Sequence, residues 1–158
     1  MKVVLGIGNP DEKYADTRHN VGWRVVDALS VKIGEKFRKA GFEFWAAEGR
    51  LGRREVALVR TWTYVNGTGR VIPELLKRYG DEILVVCDDV DLPVGRLRIG
   101  IGGGQRDPAY VLGRPGRDEK PLLDRAVEEA CEAVRCWMDE GIEKCMTRFN
   151  RRVESENV

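Results

Sequence analysis

The chain contains a single histidine, His19, and its surroundings suggest a catalytic role. An imidazole titrates near neutral pH, so a histidine is a suitable general base for activating water. His19 lies in the polar run 17–20, directly before a segment with helical spacing, and no apolar stripe accounts for it. A lone histidine is more often a surface or helix-capping residue, so this position leaves both interpretations open.

Three other polar residues could assist such a base. Asp88 is the first carboxylate after the apolar run 83–87, and it could accept a hydrogen bond from a histidine ring nitrogen and so fix the tautomer. Asn9 and Asn66 could hold a carbonyl group or a ribose hydroxyl without titrating. Each also has an ordinary interpretation, since acidic runs are often solvated turns and asparagine beside glycine or proline is common turn chemistry.

The residues around these positions predict alternating strands and helices. The predicted strands are 2–7, 83–87 and 97–101, with a hairpin of 42–50 and 55–60 around the turn 51–54, and the predicted helices are 21–33, 69–79 and 119–138. Gly34 and Gly141 stand where two of these helices should end. We therefore expect one α/β domain over residues 1–150, with a mixed twisted β-sheet flanked by helices on both faces, and a polar C-terminal tail over residues 151–158.

The polar clusters follow the predicted strands. Residues 9–20, 63–66 and 88–93 each come directly after a strand or a strand-like run. In an open α/β sheet, ligands bind at the carboxyl ends of the strands, so three parallel strands would bring these clusters to one cleft. Periodicity alone does not establish that the strands are parallel.

The composition excludes several classes of protein. Hydrophobic residues make up 42% and charged residues 34% of the 158 residues, as in ordinary globular domains. No apolar run approaches the roughly 20 residues of a membrane-spanning helix, and the apolar run at the start is too short for a signal peptide, so a cytoplasmic protein is expected. The net charge of +1 neither favours nor opposes binding to nucleic acid.

Neither a zinc site nor a dinucleotide-binding fingerprint is predicted. The four cysteines form no CxxC pair and only one histidine could join them, so we expect buried thiols in a reducing compartment. Gly6 and Gly8 begin a G-x-G pattern, but Asp11 occupies the position of the third glycine.

Several motifs resemble those of bacterial-type peptidyl-tRNA hydrolases. The resemblance extends from Lys2 to about Phe149, and its first and third motifs are highly specific. The matching segments are Gly6–Pro10 with Tyr14 and Thr17–Gly22, Arg60–Gly69 (similar to KPxTxMNxSG), Cys87–Gly95 (similar to HDDLDLPxG), Arg96–Gly102 and Tyr110–Gly113. The resemblance implies an enzyme that hydrolyses the ester between a peptide and the 3′ ribose of tRNA, without a metal or an organic cofactor.

The resemblance also implies roles for individual residues. It makes His19 the catalytic base and Asp88 the carboxylate that orients it. The residues expected to contact the substrate are Asn9, Tyr14, Tyr64 and Asn66. The partner would be tRNA, with phosphate contacts from Arg96, Arg98 and Arg114, although basic runs are often simply solvated. We expect a monomer that does not bind membranes.

One departure from the family pattern is large. Gly95 and Arg96 lead directly into residues 97–102, and the family's GHNG-containing loop and the helix after it have no counterpart. A second hypothesis is therefore an RNA-binding relative with weakened or lost catalysis. A third is a peptidase on a similar fold, which would require a second histidine that this chain lacks.

Overall fold

The computed structural model describes residues 1–8, 21–41, 44–61, 71–88, 97–101, 109–113 and 120–156, with the backbone alone for 88, 97–101, 109–113, 120–123 and 151–156. The strands within these ranges are β1 (Lys2–Gly6), β2 (Arg38–Lys39), β3 (Phe44–Leu51), β4 (Arg54–Thr61), β5 (Ile83–Asp88), β6 (Leu97–Ile101) and β7 (Ala109–Gly113). The helices are α1 (Val21–Ile33), α2 (Val71–Tyr79), α3 (Lys120–Glu140) and α4 (Ile142–Glu156).

The described strands form a single mixed sheet in the order β2-β3-β4-β1-β5-β7-β6. The four neighbouring strands β4, β1, β5 and β7 are parallel, whereas β2, β3 and β6 join the sheet in antiparallel pairs. The mixed α/β sheet predicted from the sequence is thereby confirmed.

Helices cover both faces of the sheet, as predicted. Every residue of β1 is buried, because the strand has neighbours on both sides and helices above and below. Val4 belongs to the core formed with α1, α3 and α4. Val3 and Leu5 point to the opposite face, where Val71 and Leu75 of α2 join them.

Local sequence signals account for the boundaries of α1 and of the β3–β4 hairpin. Val25, Val26 and Leu29 form the buried stripe of α1, and Gly34 follows the helix with a φ of 71°, a left-handed conformation that favours glycine. The hairpin turn is shorter than predicted, because β3 continues through Leu51 and β4 already begins at Arg54.

Three elements were not predicted from the sequence. They are the two-residue strand β2, the strand β7 and the helix α4. The helix α4 packs against α3 and β6 and continues through Glu156, so it crosses the boundary expected at residue 150.

Candidate active site at the carboxyl edge of the sheet

Three adjacent strands of the sheet end at one edge. β1 pairs in parallel with β4 on one side and with β5 on the other, and Gly6 is in register with both Arg60 and Val86. The strands end at Gly6, Thr61 and Asp88. The segments that carry the predicted site residues therefore leave three neighbouring strands on the same side, which is the arrangement that the sequence analysis required.

The strands β7 and β6 extend this edge. Gly113, the last residue of β7, is in register with Asp88 and with Leu97, the first residue of the antiparallel strand β6. Arg98 is paired with Leu112, one position further into the sheet. The carboxyl end of β7 thus lies beside the end of β5, and the amino end of β6 lies on the other side of β7.

The helix α1 begins at the same edge in very close contact with the strands. A Cβ atom added to Gly22 would lie 2.3 Å from the carbonyl oxygen of Val86 and 2.5 Å from that of Ile7. Only a residue without a side chain allows the backbones to approach this closely. His19 precedes the first residue of α1, Val21, by two positions, so the chain that contains it joins the helix at this edge.

The structure places only part of the predicted site. Asp88 is the last residue of β5, and Arg98 is the second residue of β6, each through its backbone. The other predicted site residues, His19, Asn9, Tyr14, Tyr64, Asn66, Arg96 and Arg114, lie outside the described residues.

A polar cluster at this edge was missed in the sequence analysis. The guanidinium of Arg60 lies 4.3 Å from the centroid of the Trp23 ring, and its Nη1 is 3.4 Å from Oδ1 of Asp27. Burial raises the pKa of Asp27, although Arg60 and Arg24 oppose this shift. Trp23 and Asp27 are four residues apart on α1, a spacing that could have indicated a shared face, but nothing local indicates Arg60 as their partner.

The described residues contain no group of three or more histidine, cysteine or acidic side chains that could hold a metal ion. None of the four cysteines, all of which lie within the described ranges, forms a disulfide bond. Cys131, Cys136 and Cys145 are buried, as expected, whereas Cys87 is only partly buried. Burial raises the pKa of Cys131 to about 11 and that of Cys145 to about 12, which makes these thiols poor nucleophiles and poor metal ligands at neutral pH. Within the same part of the chain, no helix is long and apolar enough to cross a membrane.

A sheet with parallel central strands and polar segments after their carboxyl ends is typical of α/β enzymes. A family model described as "Peptidyl-tRNA hydrolase" matches residues 3–107 and 95–157 of this chain. The chain belongs to that family.

Individual relatives agree with this assignment. The peptidyl-tRNA hydrolase of Chlorobaculum parvum is 33% identical over 97% of this chain and 100% of its own length. That of Anaeromyxobacter dehalogenans strain 2CP-C is 35% identical over 96% of this chain and 97% of its own length. The protein is therefore a hydrolase that acts on the ester bond of peptidyl-tRNA.

A solved structure supports the fold independently. The crystal structure of peptidyl-tRNA hydrolase from Acinetobacter baumannii superposes with a TM-score of 0.81 and 24% identity, over 95% of this chain and 94% of that one. The arrangement of strands and helices described above is thus an arrangement seen in a crystal.

Proposed function

We propose that ester hydrolysis takes place at the carboxyl edge of β4, β1 and β5, with His19 as the general base. The observation that supports this proposal is the parallel pairing of three adjacent strands, which end at one edge of the sheet; in the sequence, Asn9 and Asn66 follow two of these ends and Asp88 is the third. The start of α1 at the same edge also supports it, because His19 precedes Val21, the first residue of α1, by two positions.

The proposed reaction uses these residues as follows. His19 removes a proton from a water molecule, and the resulting hydroxide attacks the ester carbonyl carbon. Asp88 accepts a hydrogen bond from the other ring nitrogen and stabilises the imidazolium that forms. Asn9 and Asn66 donate hydrogen bonds to the substrate, and the 3′ oxygen of the ribose leaves with a proton returned from the imidazolium.

The remaining proposed contacts involve two tyrosines and three arginines. Tyr14 and Tyr64 contact the substrate beside the asparagines. Arg96, Arg98 and Arg114 contact tRNA phosphates. The pairing of β6 with β7 supports this assignment. Arg98 is one residue from the amino end of β6, and Arg114 directly follows Gly113 at the carboxyl end of β7, so both are close to the same edge in the sequence of these strands. We also propose that the enzyme acts as a monomer in the cytoplasm, where peptidyl-tRNA is produced.

We further propose that the chain has lost an interior segment of the family, the GHNG-containing loop and the helix after it. The two ranges matched by the family model overlap at residues 95–107, as expected when the parts of the model on either side of a lost segment both align there. The alignment with the Chlorobaculum relative runs over 189 residues, more than the 158 of this chain. Because the proposed base and its partners are retained, the loss should raise KM more than it lowers kcat.

Replacement of the base tests the proposed function. His19→Ala should lower hydrolysis of a purified peptidyl-tRNA by roughly 100- to 10,000-fold, the usual contribution of a general base. The melting temperature should stay close to that of the wild type, and Val31→Ala on the exposed side of α1 is a matched control. A His19→Ala enzyme with the wild-type rate would exclude His19 as the base. A wild-type protein that binds tRNA without hydrolysing the ester would instead favour the RNA-binding hypothesis.

Salt dependence tests the proposed phosphate contacts. The logarithm of tRNA affinity should fall with the logarithm of salt concentration by slightly less than one per phosphate contact. The double variant Arg96→Ala/Arg98→Ala should therefore flatten the slope by about one to two. Arg53→Ala removes an exposed charge from the turn between β3 and β4, away from this edge, and should leave the slope unchanged. An identical slope in the double variant would place the RNA elsewhere.

A further inference from the structure

A row of basic and aromatic side chains crosses the sheet next to the candidate active site. Lys39 of β2 is in register with Trp45 of β3, and Trp45 is in register with Arg60 of β4. Directly paired residues of antiparallel strands point to the same face of a sheet. Arg60 contacts Trp23 and Asp27 of α1, so the row lies on the face that α1 covers in part.

The row is open to solvent although it lies beside buried strands. Trp45 is 37% exposed and belongs to the few large hydrophobic side chains that are exposed in the described part of the chain. Lys39 is exposed, and the side chain of Arg60 is 39% exposed. In the register of the sheet, Trp45 therefore lies between two cationic residues, and one of them, Arg60, contacts Asp27 and the ring of Trp23.

The row is close to the edge at which the ester is hydrolysed. Arg60 is in register with Gly6, the last residue of β1. Since neighbouring strands are about 4.8 Å apart, Trp45 is about 10 Å from β1 and about 15 Å from β5, where Asp88 ends the strand. When a substrate is bound at the carboxyl edge, the part of it next to the reactive ester can thus reach the ring of Trp45.

An exposed aromatic ring between cations fits single-stranded nucleic acid. Unpaired bases stack on aromatic side chains, and neighbouring lysine or arginine residues contact the phosphates between them. The 3′ end of tRNA, to which the peptide is attached, is single-stranded. We propose that a base preceding the terminal adenosine stacks on Trp45, with Lys39 and Arg60 next to the adjoining phosphates. This inference rests on the proposed location of hydrolysis at the carboxyl edge.

A series of substrates with one peptidyl group tests the inference. The same N-acetyl-aminoacyl ester is prepared on adenosine, on the trinucleotide CCA and on full-length tRNA, and kcat/KM is measured for each. In Trp45→Ala, the ratio of kcat/KM for the trinucleotide to that for adenosine should fall by roughly 5- to 150-fold, the usual contribution of one stacked base. Trp45→Phe should keep most of this ratio, because it retains an aromatic ring. Val31→Ala replaces another exposed apolar residue, on α1, and should keep the wild-type ratio.

Three results would overturn the inference. An unchanged ratio in Trp45→Ala, or an equal loss on all three substrates, would show that the ring has no role in nucleotide binding or only a structural one. A loss confined to full-length tRNA would place the contact on the double helix. If ester hydrolysis does not take place at the carboxyl edge, His19→Ala would retain activity on the adenosine ester, and this result distinguishes that case from the three above.

Discussion

The two ends of the central strands differ in whether their buried polar groups have hydrogen-bond partners. At the amino end of β1, Nζ of Lys2 donates a hydrogen bond of 2.9 Å to the carbonyl oxygen of Trp137 and lies 4.6 Å from the centroid of its ring. The same amine is 3.7 Å from a carboxylate oxygen of Glu82. These contacts stabilise the fold, since they join β1 to the last turn of α3 and to the residue before β5.

At the carboxyl end, two buried polar atoms have no hydrogen-bond partner within the described residues. Nε1 of Trp23 and Oγ1 of Thr61 are buried without a hydrogen-bond partner, and within the described ranges no other buried side-chain nitrogen or oxygen lacks one. An unsatisfied buried donor costs about 1–3 kcal/mol, so such groups require an explanation. The polar groups at the amino end have partners, whereas two buried polar atoms at the carboxyl end have none, as is common at functional sites.

The largest effect is expected where α1 meets the carboxyl end. The Cβ atom of Gly22→Ala would overlap backbone atoms of Ile7 and Val86, which cannot move without displacing β1 or β5. We expect the free energy of unfolding to fall by about 3 kcal/mol, as in severe overpacking, and kcat/KM to fall because α1 shifts relative to the strands. Chemical denaturation and a hydrolysis assay measure the two effects. A Gly22→Ala protein as stable as the wild type would contradict the close packing described here.

A smaller effect is expected at the amino end. Lys2→Met retains an unbranched side chain but removes the hydrogen bond to Trp137, and it should lower the free energy of unfolding by about 1–3 kcal/mol. Activity of the folded variant should stay near that of the wild type, because the change is at the opposite end of β1. Loss of hydrolysis without loss of stability would contradict the division between the two ends.

The difference in free energy of unfolding between the wild type and Lys2→Met depends on pH. Burial lowers the pKa of Lys2 from its ordinary value of 10.5. Between the lowered pKa and 10.5, the unfolded chain binds a proton that the folded protein does not, so this residue makes the protein more stable as the pH rises. The stability difference between wild type and Lys2→Met should therefore widen as the pH approaches 10.5. A difference that narrows would show that the pKa is raised instead.

The smallest effect should have the opposite sign. Thr61→Val removes a buried hydroxyl that has no partner, at nearly constant volume, and should stabilise the protein by about 1 kcal/mol. The matched variant Ser30→Ala removes a hydroxyl that donates to the carbonyl oxygen of Asp27 at 2.6 Å, and it should destabilise the protein slightly. If Thr61→Val were the more destabilising of the two, the hydroxyl of Thr61 would have a partner that the described contacts do not include.

Much of the fold could be predicted because its signals are local. The spacing of Val25, Val26 and Leu29 and the position of Gly34 indicate α1 from the sequence alone. The strand β7 is short and follows a glycine-rich stretch, and α4 has a predominantly polar sequence, so neither has a comparable signal. The parallel pairing of β1 with β4 and β5 joins residues more than fifty positions apart, and periodicity contains no information about such pairs.

The candidate site, like the fold, could be predicted from the sequence only where the signal is local. His19 and Asp88 could be proposed from residue type and motif, and the elements that adjoin them in the sequence, α1 and β5, meet at the edge that the topology defines. The contacts of Arg60 with Trp23 and Asp27 could not be proposed, because they depend on how α1 packs across β4. Trp45 became a candidate only when the register placed it beside Arg60.

The central claim is that the one histidine of the chain is the base that activates water at the carboxyl edge. Because there is one imidazole, its ring protons give a single set of NMR signals, whose titration belongs to His19 without further assignment. The pH profile of kcat/KM reports the ionisation of the essential base in the free enzyme. If His19 is the base, the midpoint of the NMR titration coincides with the midpoint of the rising limb of that profile, and Asp88→Asn moves both together. A rising limb whose midpoint differs from that of the imidazole, or one that persists in His19→Ala, would contradict the account.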